Sequence, residues 1–216
     1  NGDLSAITLD GQLKWTVYMG NPVNPYGYSS SPVVQSDMVL IQMDSEEHSF
    51  VAAYDAGTGK QKWKMERDTG ASWASPLLFE WEQNPVLALA AEPTLSVYNV
   101  EDGSLIWELE CLDGGEIAPS PVFYDGRLYV AADYVHVAAV DMNSASVVWT
   151  NEDTTPGIST PLVYDGLYFG GMGDGGIICF STESGEELWY EVTDHGFYAS
   201  PVRIGGKIYL FDRGGN

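Results

Sequence analysis

The chain has 216 residues and is 44% hydrophobic, which is enough to bury a sizeable core and excludes a disordered or disulfide-stapled chain. It carries 31 Asp and Glu against 9 Lys and Arg, a formal net charge of -22. A surface this negative repels phosphate, so we expect no nucleic-acid partner and no binding to anionic membranes. The sequence contains no run of about 18 apolar residues, so no membrane span is predicted.

Two landmarks recur five times in the same order along the chain. The first is a tryptophan, repeated at intervals of 48, 44, 42 and 40 residues. The second is a Ser/Thr-Pro pair, whose Pro follows the preceding tryptophan by 12 to 17 residues. The tryptophans are Trp15, Trp63, Trp107, Trp149 and Trp189, and the pairs begin at Ser31, Ser75, Ser120, Thr160 and Ser200. This pattern indicates an internal repeat of about 40 residues.

The predicted elements in chain order are short strands joined by tight turns. Two strands, Asp3 to Leu9 and Gln12 to Tyr18, open the chain within a half unit at 1–20. Two more, Ala199 to Arg203 and Lys207 to Asp212, close it within a half unit at 199–216. Between them lie four complete four-stranded units, at approximately 29–66, 73–110, 118–151 and 158–192. Pro and Gly are too frequent for long helices.

The unit at 118–151 shows the pattern of strands most clearly. Its first strand, Pro119–Tyr124, is followed by Asp125-Gly126, a two-residue hairpin turn, because Gly tolerates the positive φ that such turns need. The return strand is Arg127–Ala132. The third and fourth strands are His136–Asp141 and Val147–Asn151.

Four-stranded units that repeat every 40 residues predict an all-β fold, a β-propeller of antiparallel blades. A single sheet cannot bury both of its faces, whereas sheets stacked face to face can. The chain holds about five blades' worth of strands, as four complete blades and two complementary half-blades. The halves either pair and close a five-bladed ring, or the chain is an arc of a larger ring. Ends that fall within a unit favour the arc, as a piece of a longer protein.

One unit contains a specific motif, Ala53-Tyr-Asp55-Ala-Gly-Thr58-Gly59-Lys-Gln-Lys-Trp63. It resembles the tryptophan-docking repeat of the PQQ-like (quinoprotein-type) β-propeller family, Ala-x-Asp-x-x-Thr-Gly-x-x-x-Trp. Weaker copies extend the resemblance over the whole chain: Ala6 to Trp15, Val97 to Trp107, Ala139 to Trp149 and Cys179 to Trp189. The resemblance implies that all five repeat tryptophans pack against the neighbouring blade and tie the blades together.

The resemblance covers two kinds of protein. One comprises dehydrogenases that bind pyrroloquinoline quinone with Ca²⁺, typically under a disulfide between adjacent cysteines. The other comprises non-catalytic propellers of the BamB type, an outer-membrane assembly lipoprotein, and other extracytoplasmic proteins. Here Cys111 and Cys179 lie two units apart and cannot form that disulfide ring. The connections are short, so no residue is assigned as catalytic or cofactor-binding, and no cofactor is expected.

Other candidate chemistry is weak. His48, His136 and His195 occupy different positions in their units, so we expect no metal site. The glycine-rich stretch Gly170–Gly176 lacks the Asp pattern of a Ca²⁺ loop and the Lys of a P-loop, and is interpreted as a turn between second and third strands. The acidic group around Asp44 is interpreted as a solvated loop.

Two tryptophans, Trp73 and Trp81, lie outside the docking register. The blades of a propeller surround a central channel, and an aromatic side chain near it can stack on a sugar or a quinone. Both tryptophans are therefore possible ligand contacts, with interior packing as the alternative. The stretch Glu80–Pro85 is predicted to be the longest loop of a first hairpin. If one loop carries recognition, this loop is the first choice.

Three functions remain open from sequence. The first is a non-catalytic scaffold that binds a protein or a small ligand and is located in the periplasm, on the cell surface or outside the cell. The second is a fragment of a quinone-dependent dehydrogenase. The third is a carbohydrate- or ligand-sensing module of a larger protein. The sequence identifies neither the partner nor the blade number of the full-length protein.

Overall fold

The computed structural model describes residues 2–216, in which all regular secondary structure is β-strand. A half-blade at the N-terminal end consists of β1 (Asp3–Ile7) and β2 (Leu13–Tyr18). A second one at the C-terminal end consists of β19 (Val202–Ile204) and β20 (Lys207–Tyr209). These two half-blades are separate two-stranded sheets, so their strands do not pair with each other in this structure.

Four complete blades lie between the half-blades, each an antiparallel sheet whose strands pair in chain order. Blade 1 consists of β3 (Val33–Gln35), β4 (Met38–Met43), β5 (Ser49–Asp55) and β6 (Gln61–Arg67). Blade 2 consists of β7 (Leu77–Trp81), β8 (Asn84–Ala91), β9 (Thr94–Asn99) and β10 (Leu105–Glu110). Blade 3 consists of β11 (Val122–Tyr124), β12 (Arg127–Ala132), β13 (His136–Asp141) and β14 (Ser146–Asn151). Blade 4 consists of β15 (Leu162–Tyr164), β16 (Leu167–Gly171), β17 (Gly176–Ser181) and β18 (Glu187–Val192).

The four complete blades share one cross-strand register. In each blade, one residue from each strand lies in a row across the sheet, and the fourth-strand member of this row is the repeat tryptophan. The rows are Val33, Leu40, Ala53, Trp63; Leu77, Ala88, Val97, Trp107; Val122, Tyr129, Ala139, Trp149; and Leu162, Phe169, Cys179, Trp189. The half-blades contain the matching parts of this row, Ala6 with Trp15 and Val202 with Tyr209.

The core lies between blades, because alternate residues of one strand face opposite neighbours. In β8, Leu87 and Leu89 pack with Leu40 and Val51 of blade 1, whereas Ala88 packs in the cluster that blade 2 shares with blade 3. All five of these side chains are fully buried. This two-sided burial explains why the second and third strands read as continuous apolar runs in the sequence.

A relay of hydrogen bonds runs through the Ser/Thr-Pro pairs from blade to blade. The backbone N–H of each Ser or Thr donates to the hydroxyl oxygen of the next one, at 2.9 to 3.0 Å. The relay is Ser31 to Ser75, Ser75 to Ser120, Ser120 to Thr160, and Thr160 to Ser200. Because this backbone bonds to the next blade rather than to the second strand of its own, β11 begins at Val122 and not at Pro119 as predicted.

Most turns are as predicted. Asp125 and Gly126 have φ values of 48° and 76°, the left-handed pair of a two-residue hairpin. The stretch Gly170–Gly176 contains the turn that joins β16 to β17. The predicted long loop at Glu80–Pro85 is wrong, since β7 and β8 extend through it and leave a two-residue turn at Glu82 and Gln83. The extra residues lengthen the two strands instead of forming a loop.

Candidate functional site

Three of the repeat tryptophans bond to the next sheet of the arc. The indole N–H groups of Trp15, Trp63 and Trp149 each donate to a backbone carbonyl at 3.0 Å. The acceptors are Ala56, Val100 and Thr182, which occupy the same position in the turn between third and fourth strands.

A glycine in that turn makes room for each indole ring. A Cβ atom placed on Gly59, Gly103 or Gly185 would lie 2.5 to 2.7 Å from the ring of the tryptophan, too close for any side chain. All three glycines also have positive φ values, between 72° and 75°. The Thr-Gly of the sequence motif is therefore the receiving surface for the tryptophan of the preceding blade.

The other two repeat tryptophans differ from this pattern. The indole N–H of Trp107 is shielded from solvent and has no hydrogen-bond partner among the described residues. The next blade has Ala145 where the others have the receiving glycine. Trp189 is 43% exposed, because the sheet that follows it contains only β19 and β20 and so lacks a turn between third and fourth strands. Three of the five repeat tryptophans thus form a hydrogen bond to the next sheet, and Trp107 packs against the cluster between blades 2 and 3.

The two off-register tryptophans have different surroundings. Trp81 packs against the core between blades 2 and 3, with its ring edge-on to Phe123 at 5.8 Å, and these surroundings favour interior packing, the alternative to a ligand contact. Trp73 lies in the linker between blades 1 and 2 and lines a surface cavity. Its indole N–H donates to the carbonyl oxygen of Gly27 at 3.0 Å, and its ring lies 5.4 Å from that of Tyr26.

The interpretation of Asp44 as a solvated loop residue is wrong. Asp44 is fully buried and forms an ion pair with the equally buried Arg67 at 2.9 Å. Gln42 donates to the same carboxylate at 2.7 Å, and Arg67 reaches the hydroxyl of Tyr98 at 3.4 Å. A buried charge needs such a partner, and no local pattern in the sequence indicates that Arg67, 23 residues further on, supplies it.

The linkers between blades and the turns between second and third strands lie on one face of the arc, which we call the linker face. This follows from the antiparallel order of the strands, and the hairpin face lies opposite. Only Arg67 and Arg213 of the nine basic residues lie at the linker ends of the strands. Arg67 is buried, and the guanidinium of Arg213 stacks 4.5 Å from the ring of Tyr198.

Two cavities on the linker face combine aromatic rings with carboxylates. The Trp73 cavity, between blades 1, 2 and 3, has a volume of about 310 Å³ and is lined by Trp73 with Glu46, Glu92 and Glu116. The Tyr134 cavity, between blades 3 and 4, has a volume of about 490 Å³. Its aromatic and acidic lining residues are Tyr134, Tyr198, Asp133, Glu152, Asp153 and Asp174.

The two cavities adjoin each other at Glu116 and Asp133. The backbone N–H of Asp133 donates to the carbonyl oxygen of Glu116 at 3.1 Å. Partial burial raises the pKa of the Asp133 carboxyl, and the negative charge of Glu116 raises it further. A cationic group placed here would relieve this repulsion while its charge interacts with the nearby aromatic rings. The arrangement therefore suits Lys or Arg side chains.

Sequence reasoning found Trp73 but missed the rest of this surface. Tyr134 is 93% exposed at a φ of 60° in the turn between β12 and β13, a position where a large aromatic side chain buries nothing. That mismatch between residue type and turn position was the available signal. Glu116 and Asp133 come close together through the contact between two blades, and the sequence around either residue does not indicate this.

The described residues contain no cluster of three or more His, Cys, Asp or Glu side chains arranged to hold a metal ion. No helix capable of crossing a membrane occurs in them.

Comparison with known proteins was made with both sequence and structure. A family model described as outer membrane protein assembly factor BamB matches residues 1–189 and, in a second alignment, residues 91–216. The chain belongs to the BamB family. This BamB-family chain is 23% identical to the outer membrane protein assembly factor BamB of Yersinia pestis, over 100% of its own length and 56% of that protein.

Other similarities extend to solved structures and to enzymes. BamB from Moraxella catarrhalis superimposes with a TM-score of 0.76 at 20% identity, over 98% of this chain and 62% of that one, which confirms the predicted propeller fold. The quinohemoprotein alcohol dehydrogenase of Comamonas testosteroni is 26% identical over 56% of this chain and 19% of the enzyme. The BamB-family chain thus spans about 56% to 62% of the length of these BamB proteins.

Proposed function

We propose that this chain is a non-catalytic, extracytoplasmic scaffold whose linker face binds a polypeptide segment rich in Lys or Arg. The observation that carries the proposal is that the Trp73 cavity and the Tyr134 cavity adjoin each other and that both are lined by aromatic side chains and carboxylates. The BamB relatives are named as assembly factors for outer membrane proteins, and such a task requires contact with other polypeptides.

The placement of the arginines supports binding over quinone chemistry. A quinone that carries several carboxylates needs gathered cations. Here Arg67 is neutralised by Asp44, Arg127 donates to the carbonyl oxygen of Thr182 at 2.8 Å, and Arg203 stacks 3.7 Å from an aromatic ring of blade 4. Each of these guanidinium groups is held by a different part of the arc.

The test uses a 12-residue peptide of alternating Lys and Val as the probe, titrated calorimetrically at about 150 mM NaCl to screen long-range attraction. A triple variant, Glu46→Gln, Glu92→Gln and Glu116→Gln, should weaken binding at least tenfold, about 1.4 kcal/mol. Trp73→Leu should weaken it severalfold through loss of the aromatic ring.

A matched control variant removes the same number of negative charges from the hairpin face. Glu82, Glu101 and Glu183 are exposed in the hairpin turns of blades 2 and 4, and their combined change to Gln should alter binding less than twofold. Equal losses from the two triple variants would show general electrostatic attraction to a negative protein and would contradict a site on the linker face.

A further inference from the structure

The side chains of the linker face form two rows that follow the arc. The first strands of neighbouring blades contact one another, β3 with β7, β7 with β11 and β11 with β15, so these strands form the inner side of the arc. In each complete blade the second and third strands come next, and the fourth strand lies at the outer side. The place of a residue in its blade therefore shows how far it lies from the inner side.

The first row, which we call the inner row, lies two positions before the relay hydroxyls. Its members are Trp73, Ala118, Ile158 and Tyr198, which directly precede the first strands, and the equivalent residue before blade 1 is Ser29. Trp73 lines the Trp73 cavity, whereas Ile158 and Tyr198 line the Tyr134 cavity. Ile158, in the linker between blades 3 and 4, is 44% exposed. Its apolar side chain is therefore open to a ligand in that cavity.

The second row, which we call the acidic row, consists of carboxylates from the turns between second and third strands. Each complete blade supplies one that lines a cavity, and in blades 1 to 4 these are Glu46, Glu92, Asp133 and Asp174. No ion pair within residues 2–216 involves any of the four. Because these turns lie at the middle of the sheets, the acidic row runs further out than the inner row.

Two rows of different chemistry match the two sides of an extended polypeptide. Successive side chains of an extended segment point to opposite sides, so every second residue lies on the same side. A segment that follows the arc between the rows would direct one set of side chains to the inner row and the other set to the acidic row. An α-helix, with 3.6 residues per turn, does not place alternate residues on two opposite sides.

We propose that the linker face selects extended segments in which Lys or Arg alternates with apolar residues, the basic side chains lying on the acidic row and the apolar side chains on the inner row. Charge complementarity assigns the basic side chains, because the four carboxylates have no basic partner within residues 2–216. Ile158 assigns the apolar ones, since an aromatic ring contacts cations as well as apolar groups but an isoleucine contacts apolar groups only. The inference rests on the proposed binding of a basic segment to this face and adds the order of its residues.

Peptides that differ only in residue order test the alternation. The 12-residue peptide of alternating Lys and Val is compared with a peptide of the same composition in which Lys-Lys-Val-Val repeats, by calorimetry at about 150 mM NaCl. The alternating peptide should bind about tenfold more tightly, because only its order directs every Val to the inner row. Equal affinities would overturn the inference and leave the proposed binding of a basic segment intact. If neither peptide bound, the proposed function would be wrong and the inference with it.

A substitution in the inner row tests which side chains it contacts. A peptide of alternating Lys and Ser has the same order of charges but no apolar side. Ile158→Ser should weaken binding of the Lys–Val peptide by about fivefold, through loss of apolar contact, and leave binding of the Lys–Ser peptide unchanged. Equal losses with the two peptides would show that Ile158 does not contact the apolar side chains, and the inference would be wrong.

Val148→Ser is the matched control for this substitution. Val148 is 42% exposed, close to the exposure of Ile158, but it lies on the fourth strand of blade 3 at the outer side of the arc. The control should leave the affinity for both peptides unchanged. Circular dichroism checks that both variants keep the β-sheet fold. Equal losses of Lys–Val peptide affinity from Ile158→Ser and Val148→Ser would also overturn the inference.

Discussion

The boundary between blades 1 and 2 and the boundary between blades 2 and 3 are built from the same repeat but joined differently. At the first, Trp63 is 8% exposed, donates to the carbonyl oxygen of Val100 and rests on Gly103. At the second, the indole N–H of Trp107 is buried with no hydrogen-bond partner in residues 2–216, and the receiving position is occupied by Ala145, at a φ of 48°. A single methyl group in the turn accompanies the loss of the hydrogen bond.

The second boundary has other contacts that the first lacks. The ring of Phe79 stacks on that of Phe123 at 4.4 Å, and Trp81 meets the same ring edge-on. These three side chains pack against a buried cluster that spans blades 2 and 3. At the second boundary, aromatic packing is therefore present where the hydrogen bond and the glycine of the motif are missing.

The largest effect should come from removing the docked tryptophan. Trp63→Ala should lower the free energy of unfolding by about 3–5 kcal/mol, through lost burial and the cavity left behind. Trp107→Ala should cost roughly half as much, because its ring is only partly buried and its N–H satisfies no acceptor. Urea denaturation followed by circular dichroism measures both. Equal losses would show that the motif contact adds nothing to the boundary.

An intermediate effect should come from restoring the motif at the weaker boundary. Ala145→Gly should raise the free energy of unfolding by about 1 kcal/mol, because a left-handed backbone conformation is unfavourable for Ala but not for Gly. The gain should be smaller when Trp107 is already Ala, since the room created for the ring is then unused. Denaturation of the two single variants and the double variant gives this coupling.

The reverse substitution gives the matched control. Gly103→Ala should destabilise the chain by more than Ala145→Gly stabilises it, because the new Cβ would lie 2.5 Å from the ring of Trp63 in addition to the backbone penalty. If Gly103→Ala were neutral, the glycine would not be the receiving surface and the comparison between the two boundaries would lose its basis.

The features that the sequence predicts are those with a local signal. Asp125-Gly126 has the residue types of a two-residue hairpin turn, and the tryptophan spacing indicates the repeat that underlies the blades. The Ser/Thr-Pro pairs were recognised as landmarks, but their role was not, because each hydroxyl bonds to a residue about 40 positions away. Asp44 was misplaced for the same reason, since its burial is made possible by Arg67. The cavities of the linker face depend on contacts between blades, so the local sequence does not indicate them.

The smallest effect concerns the side chain that begins the turn, which is an amide at the first boundary, Asn99, and a carboxylate at the second, Asp141. In blade 3, the N–H and the hydroxyl of Ser144 donate to Asp141 at 2.9 and 3.0 Å, and these bonds lower the pKa of Asp141. A carboxyl whose pKa is lower in the folded state stabilises the fold above its unfolded pKa of about 3.9, and this stabilisation is lost as the pH falls through the folded value. Blade 2 has Asn99 at this position, where its amide oxygen accepts the N–H of Glu101 at 2.8 Å, so the turn accepts an amide.

Asp141→Asn should therefore leave the fold intact, lower the melting temperature slightly at pH 7, and match the unsubstituted chain near pH 3, where the carboxylate is becoming protonated. Thermal unfolding from pH 7 to pH 3 measures the difference between the two curves. Asp165→Asn is the control, because the side chain of Asp165 accepts no hydrogen bond from the described residues and this substitution should not change the pH slope in the same way. A constant offset between the Asp141→Asn curve and the unsubstituted curve at all pH values would mean that the turn is stabilised by its shape alone. The charge on the repeat aspartate would then be irrelevant to how the blades are joined.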